Sequence, residues 1–475
     1  MRRVVAAACI VAMLVSGCSR LVDGKAVSVF TDPFQVAGLP VTDGPSGLRP
    51  DAIPPTRKVS NDNKNRESVL AGQAVSDIED FWKDGYQSLH GQYQPVAAAV
   101  AWNSTDDEGG AFCRNQTYGL VNAMYCWDDN TIGWDRGQLL PTLRSTFGDM
   151  AIPLVLSHEY GHAIQRWAGL ADLNTPSLVA EQQADCFAGV YMRWVAEGDS
   201  HRFTLNTGDG LNSVLATVIS TRDQLQIAGS PEAGAAEHGS AFERISAFQM
   251  GFTDGAAACA GIDANEVDQR RGDLPVALMQ NSTGDWPVSS ESVTAIVDAM
   301  NQTFSPANPP ILRFDAAQAA SCPDARASPP TSYCPATNTI AVDLQALAEM
   351  GTPTGRQGRF VLPVGDNTAY SVLVSRYVQV LAKQRGLVLD SAAAALRTAC
   401  LTGVATTAMS KQIRVDGETV ALAAGDLDEA VSGMLTNGRA ASDVNGASVP
   451  SGFSRIDAFR TGVLGDESRC VQRFP

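Results

Sequence analysis

Residues 151–170, AIPLVLSHEYGHAIQRWAGL, decide the reading of this chain. Ile152, Val155, Leu156, Ile164 and Trp167 recur at helical spacing, and no proline follows Pro153, so the stretch predicts one helix. Positions i and i+4 of a helix share a face, one turn apart. His158 and His162 therefore point the same way, with Glu159 beside them. In this pattern both imidazoles can hold a zinc ion while the glutamate serves as general base. The chain has five histidines, and two of them stand here around a glutamate, which separates this helix from a core helix with incidental histidines.

A hydrolytic zinc site needs a third protein ligand and leaves the fourth position to water. Residues 177–198, SLVAEQQADCFAGVYMRWVAEG, form the next helical stretch and carry Glu181 and Asp185 at i, i+4. Glu181 lies at the edge of an apolar face made by Leu178, Val179, Ala184, Phe187 and Val190, where a metal partner would explain a carboxylate. Glu181 is the expected third ligand. Asp185 is expected to accept a hydrogen bond from the far nitrogen of a ligand histidine and so fix its tautomer.

SHEYGHAIQ followed by EQQADCFAGVY resembles the bacterial putative neutral zinc metallopeptidase family, and the His-Glu-x-x-His plus Glu-x-x-x-Asp arrangement is that of the wider gluzincin group. MYCWDDNTIGWD, FGDMAIPLV and HGSAFERISAFQMGF match outside the metal-binding stretches. The resemblance covers about residues 70–262. It implies one Zn2+ per chain and a zincin-like fold, in which an edge strand beside the metal helix receives the substrate backbone by strand addition. It also implies a downstream histidine that donates to the developing oxyanion. His238, in EAGAAEHGSAFER, is the candidate.

Upstream, Arg2 and Arg3 precede the apolar run VVAAACIVAMLV, too short to span a bilayer comfortably, and LVSGC resembles a lipoprotein cleavage box. Residues 1–18 are expected to be a signal peptide, with Cys18 the acylated mature N-terminus and a stable membrane anchor. Residues 19–65, rich in Pro, Gly, Asp and Ser, read as a flexible tether. The expected location is the bacterial cell envelope, outside the cytoplasm. The net charge of −16 disfavours nucleic acid and an anionic membrane surface as partners.

The chain also repeats itself. MYCWDDNTIGWD returns as SYCPATNTIAVD, GDMAIPLVLSHEYGHAIQRWAGL as GDNTAYSVLVSRYVQVLAKQRGL, ADCFAGV as TACLTGV and FERISAFQMG as FSRIDAFRTG, in the same order. Two tandem copies of one fold are expected, a zinc metallopeptidase domain over 66–275 and a degenerate repeat over 285–475. In the second copy Ser375, Arg376 and Gln379 stand at the positions of His158, Glu159 and His162, and Ala399 at that of Asp185, so it is expected to hold no metal. Eight cysteines remain after Cys9 and Cys18, and an even number in an exported chain reads as four disulfides. The repeat pairs them as Cys113–Cys126, Cys186–Cys259, Cys322–Cys334 and Cys400–Cys470.

The expected fold class is α+β, dominated by helices near 69–89, 137–146, 150–168, 177–197, 209–222 and 240–254 and their counterparts in the second copy. Strands fit PVAAAVAW, NTIGW, NTIAVD and RFVLPV. The leading functional expectation is a membrane-anchored zinc peptidase acting on a peptide or protein substrate. Zinc-activated water would attack a carbonyl, with Glu159 as base. A non-catalytic binding or assembly lipoprotein on the same scaffold is one alternative, and a zinc amidase acting on peptidoglycan peptides another. The sequence names no protein partner.

Overall fold

Local chemistry sets the ends of the helices that carry the site. Asn65 caps α1 (Arg66–Gly85) by accepting from the Ser68 amide. α2 spans Leu139–Phe147 and α3 Ala151–Ala168, which ends at Gly169 in the left-handed region at φ 66°. α4 (Ser177–Glu197) ends the same way at Gly198. α5 covers Asp209–Ser220, and α6 (Ala241–Asp254) starts on a capping box between Ser240 and Glu243. The computed structural model describes residues 32–172, 174–225, 238–278, 284–315, 317, 321–353 and 360–475, a mixed α/β structure about half helical with open sheets. The signal segment and Cys18 lie outside the described residues.

Beside α3 stands a four-stranded sheet in the order β1 (Val59–Ser60), β2 (Ala98–Trp102), β4 (Thr131–Asp135), β3 (Ala123–Cys126). The first three strands are parallel, and β3 runs antiparallel to β4 along the edge, with Tyr125 opposite Ile132. β3 is the strand packed against α3. In the second half, β5 (Ile311–Arg313), β7 (Thr339–Val342) and β6 (Thr331–Cys334) form a smaller mixed sheet. It lies with α7 (Ser290–Phe304), α8 (Asp366–Gln384), α9 (Ala392–Ala408), α10 (Asp426–Thr436) and α11 (Gly452–Val463).

Two sequence expectations need correction. RFVLPV forms no strand over its described residues. Phe360 takes φ 67°, which breaks an extended run, and Arg222 donates to the Val361 carbonyl at 2.9 Å. Residues 32–65 are docked rather than free. Gly47–Leu48 pairs with Phe203–Thr204, β1 joins the main sheet, Val36 is fully buried, and the Gln35 carbonyl accepts from Ser454 in the second half.

All four cysteine pairs stand at bonding distance, with S–S separations of 2.03–2.09 Å. The second and fourth pairs flank two close helix crossings. A β-carbon on Gly251 of α6 would fall 1.8 Å from the Cys186 carbonyl oxygen of α4, and one on Gly189 2.1 Å from the Phe248 oxygen. The α9–α11 crossing has the same construction, since a β-carbon on Gly462 would fall 1.8 Å from Cys400 O and one on Gly403 2.2 Å from Phe459 O. Glycine at all four positions lets backbone touch backbone. Most buried apolar side chains of both halves merge in one cluster, in which the Phe252 and Phe453 rings lie 5.0 Å apart, while Trp102, Phe112 and Cys126 form a second, small one.

Candidate metal centre

α3 and α4 pack closely because residue 161 is glycine. A β-carbon there would lie 2.9 Å from the Ala184 α-carbon. This approach brings Glu181 to the face of α3 that carries His158 and His162. Nε2 of His158 lies 3.1 Å from Glu181 Oε2, and Nε2 of His162 lies 3.4 Å from Glu181 Oε1. Ligands about 2.0–2.1 Å from a tetrahedral zinc are separated by about 3.3 Å; both His–Glu separations match that spacing, and the three donor atoms lie within 4.8 Å of one another.

The far side of each imidazole is held. His158 Nδ1 is 2.8 Å from Asp185 Oδ1, and His162 Nδ1 is 3.0 Å from Gln165 Oε1. Both rings thereby keep the Nδ1 proton and turn the Nε2 lone pair inward, the arrangement a metal ligand needs. Asp185 is itself clamped by Arg244 of α6, whose Nε and Nη2 donate at 2.8 and 2.7 Å. Gln165 is fixed by donating to the Ala180 carbonyl at the start of α4. Burial alone would raise the Asp185 carboxyl, but Arg244 and His158 outweigh it and hold it below its usual range. Burial acts likewise on Glu181, and the imidazoles of His162 and His158 outweigh it.

Glu159 points into the adjoining cleft, and its Oε2 accepts the Tyr125 amide of β3 at 3.1 Å. Burial raises its carboxyl above the ordinary value, with the neighbouring imidazoles pulling the other way. A carboxylate raised in this way is a better proton acceptor. Tyr160, the other polar side chain of this turn, faces away. It is fully buried, and its hydroxyl lies 3.0 Å from that of Tyr93.

His238 comes from the other wall of the cleft. Its Nε2 lies 3.7 Å from Glu181 Oε2 and its Nδ1 3.2 Å from Asp223 Oδ1. Asp223 also accepts the His238 and Gly239 amides at 2.9 and 2.8 Å. Residues 226–237, part of the loop before His238, lie outside the described residues. The cleft has a volume of about 350 Å³, and the rest of its lining comes chiefly from α2, α3, the end of α5 and Phe360.

Sequence reasoning missed Gln165, Asp223 and Arg244. Gln165 was within reach of it, one turn beyond His162 on the same face. Asp223 and Arg244 were not, because each acts on a residue distant in sequence. In the second half Ser375, Arg376 and Gln379 are bonded within the protein. Ser375 donates to Val372 O, Arg376 to Thr331 O, Ser442 Oγ and Arg439 O, and Gln379 to Ser442 O.

The sequence profile of the family described as "Putative neutral zinc metallopeptidase" matches residues 26–262, nearly half of the chain. Two curated relatives are each described as "Uncharacterized protein YpfJ", from Escherichia coli strain K12 and from Escherichia coli O6:H1 strain CFT073. Each is 27% identical over 221 residues, covering 43% of this chain and 73% of the relative. No solved structure matches the chain at a significant level.

Proposed function

We propose that the chain is a zinc-dependent peptidase of the cell envelope, exported by residues 1–18 and anchored through acylated Cys18. One observation carries the catalytic part. Two imidazoles, each with its outer nitrogen already hydrogen-bonded, aim their inner nitrogens at one partly buried carboxylate, and a second carboxylate, steadied by the Tyr125 amide, faces the cleft. The family match supports the same chemistry.

His158, His162 and Glu181 would hold a zinc ion, which would supply Lewis-acid polarisation and lower the pKa of a bound water to about 7. Glu159 is the carboxylate placed to accept a proton at the cleft and to return it to the leaving amine. The Tyr125 amide fixes where Glu159 Oε2 sits. His238, backed by Asp223, donates to the developing oxyanion. Asp185 and Arg244 keep His158 in the ligating tautomer. A peptide added beside the edge strand β3, as the resemblance to zincin-like folds implies, would present its carbonyl to this group.

Residues 285–475 read as a degenerate second copy of the fold. The shared disulfide spacing and the two glycine crossings support this.

The test is the zinc content of residues 19–475 carrying Cys18→Ser. One zinc per chain, abolished by His158→Ala, is expected. Glu159→Gln should keep the zinc and lower peptide hydrolysis by about 10²–10⁴-fold. No zinc in the unaltered site after exposure to the metal would overturn the reading. Cellular phenotypes untouched by Glu159→Gln would move the function from turnover to binding.

A further inference from the structure

The cleft beside the metal centre is polar on one wall and apolar on another. Leu139 and Leu143 of α2, Leu154 and Val155 of α3 and Val218 of α5 line the apolar wall, and these three helices pack on one another. The wall is completed by Phe360, which comes from the second half of the chain. Phe360 is half-buried and packs against the common core, although its backbone takes φ 67°, a region that bulky residues enter only when the surroundings enforce it.

Those surroundings are visible. Arg222, at the end of α5 and itself in the cleft lining, donates to the carbonyl of Val361 at 2.9 Å. Its Nε lies 3.8 Å from Asp428 of α10, and Asp428 also accepts the Phe242 amide at the start of α6 at 3.0 Å. The second half thus holds Arg222 of the cleft lining beside the point where Phe360 enters, and Asp428 ties it to the start of α6.

We propose that Phe360 is a specificity-determining residue. It closes an apolar recess that takes a bulky apolar side chain of the peptide next to the bond to be cut. The substrate class is therefore peptides with Leu, Ile, Met or Phe at one position flanking the scissile bond. The identity of the bond rests on the peptidase reading; the recess does not.

The zinc-loaded mature chain, with Cys18→Ser, is incubated with a mixture of random decapeptides, and the cut sites are read by mass spectrometry. Cuts are expected to favour the large apolar residues over Ala and Gly at one flanking position by about tenfold. Phe360→Ala should lower that preference at least about threefold. Phe360→Trp should shift it toward smaller side chains, and decides the matter if the alanine variant does not fold. An unchanged profile in the folded variants, or an equal slowing at every site, would overturn the proposal. If the zinc-loaded parent cuts nothing, the peptidase reading fails and the recess is tested by binding. Fluorescein-labelled Gly-Leu-Leu-Gly should bind more tightly than labelled Gly-Gly-Gly-Gly, and Phe360→Ala should remove most of the difference. Equal affinities of the parent for the two peptides would sink the recess as well.

Discussion

Replacing Gly251 by alanine would put a methyl carbon 1.8 Å from the Cys186 carbonyl oxygen and 2.7 Å from its carbonyl carbon. These are backbone atoms of α4, tied nearby through the Cys186–Cys259 bridge, so no side-chain rotation relieves the contact. α4 and α6 must part by more than about 1 Å, because packed interiors leave no slack on that scale. Alanine returns up to about 1 kcal/mol of helix propensity. Overpacking against fixed backbone costs about 3 kcal/mol, the upper end of its usual range. The expected net loss is about 2 kcal/mol. Because Glu181 rides on α4 and Arg244 on α6, zinc affinity should fall at least about tenfold. Gly462→Ala is the matched control, with the same 1.8 Å clash against Cys400 O and no metal donor on either helix. It should cost similar stability and leave zinc affinity within about twofold. Urea unfolding followed by circular dichroism reads the first quantity, and competition against a fluorescent zinc chelator the second. A Gly251→Ala protein as stable as the parent would refute the argument, as would Gly462→Ala weakening zinc equally.

Two further outcomes follow from groups outside the metal ligands. His238→Ala should lower turnover by about 10²–10³-fold while zinc occupancy holds, and loss of the metal or no effect at all would remove His238 from the mechanism. Glu429, at α10, has its carboxyl raised to about 8 by burial and then by the Asp366 charge, against the Asn367 amide that lowers it, with Asp285 and Asp428 adding to the rise. A carboxyl raised in the folded state contributes stability that is complete below its ordinary value of 4.5 and is lost as pH climbs through about 8. The urea midpoint should therefore fall between pH 5 and pH 9, and Glu429→Gln should flatten that fall. A slope that Glu429→Gln leaves unchanged would assign the loss elsewhere.

The parts of the site written in short-range pattern could be read from sequence. His158, Glu159 and His162 share one helical turn, and Glu181 and Asp185 another, so helical geometry alone places each set. The cysteine pairing was legible because the repeat supplied a second copy of each spacing. Arg244 and Asp223 were not legible, since any of 35 basic and 51 acidic residues could have met those partners once the chain folded. The docking of residues 32–65 rests on strands of two residues, too short to show a period, and on polar bonds such as Thr42 to Thr207. Phe360 and its valine neighbour favour extended backbone by residue type, whereas the Arg222 bond to the Val361 carbonyl holds this turn in another conformation.

The glycine crossing of α9 and α11 repeats that of α4 and α6 down to the carbonyl it touches, yet it serves no donor. The shape of such a helix pair is therefore set without an ion, and chelation should leave both pairs standing. The chain in effect contains its own blank. Hydrogen exchange in α9 and α11 should stay constant as zinc is added, and any protection gained in α4 and α6 alone can be assigned to the metal within a single molecule.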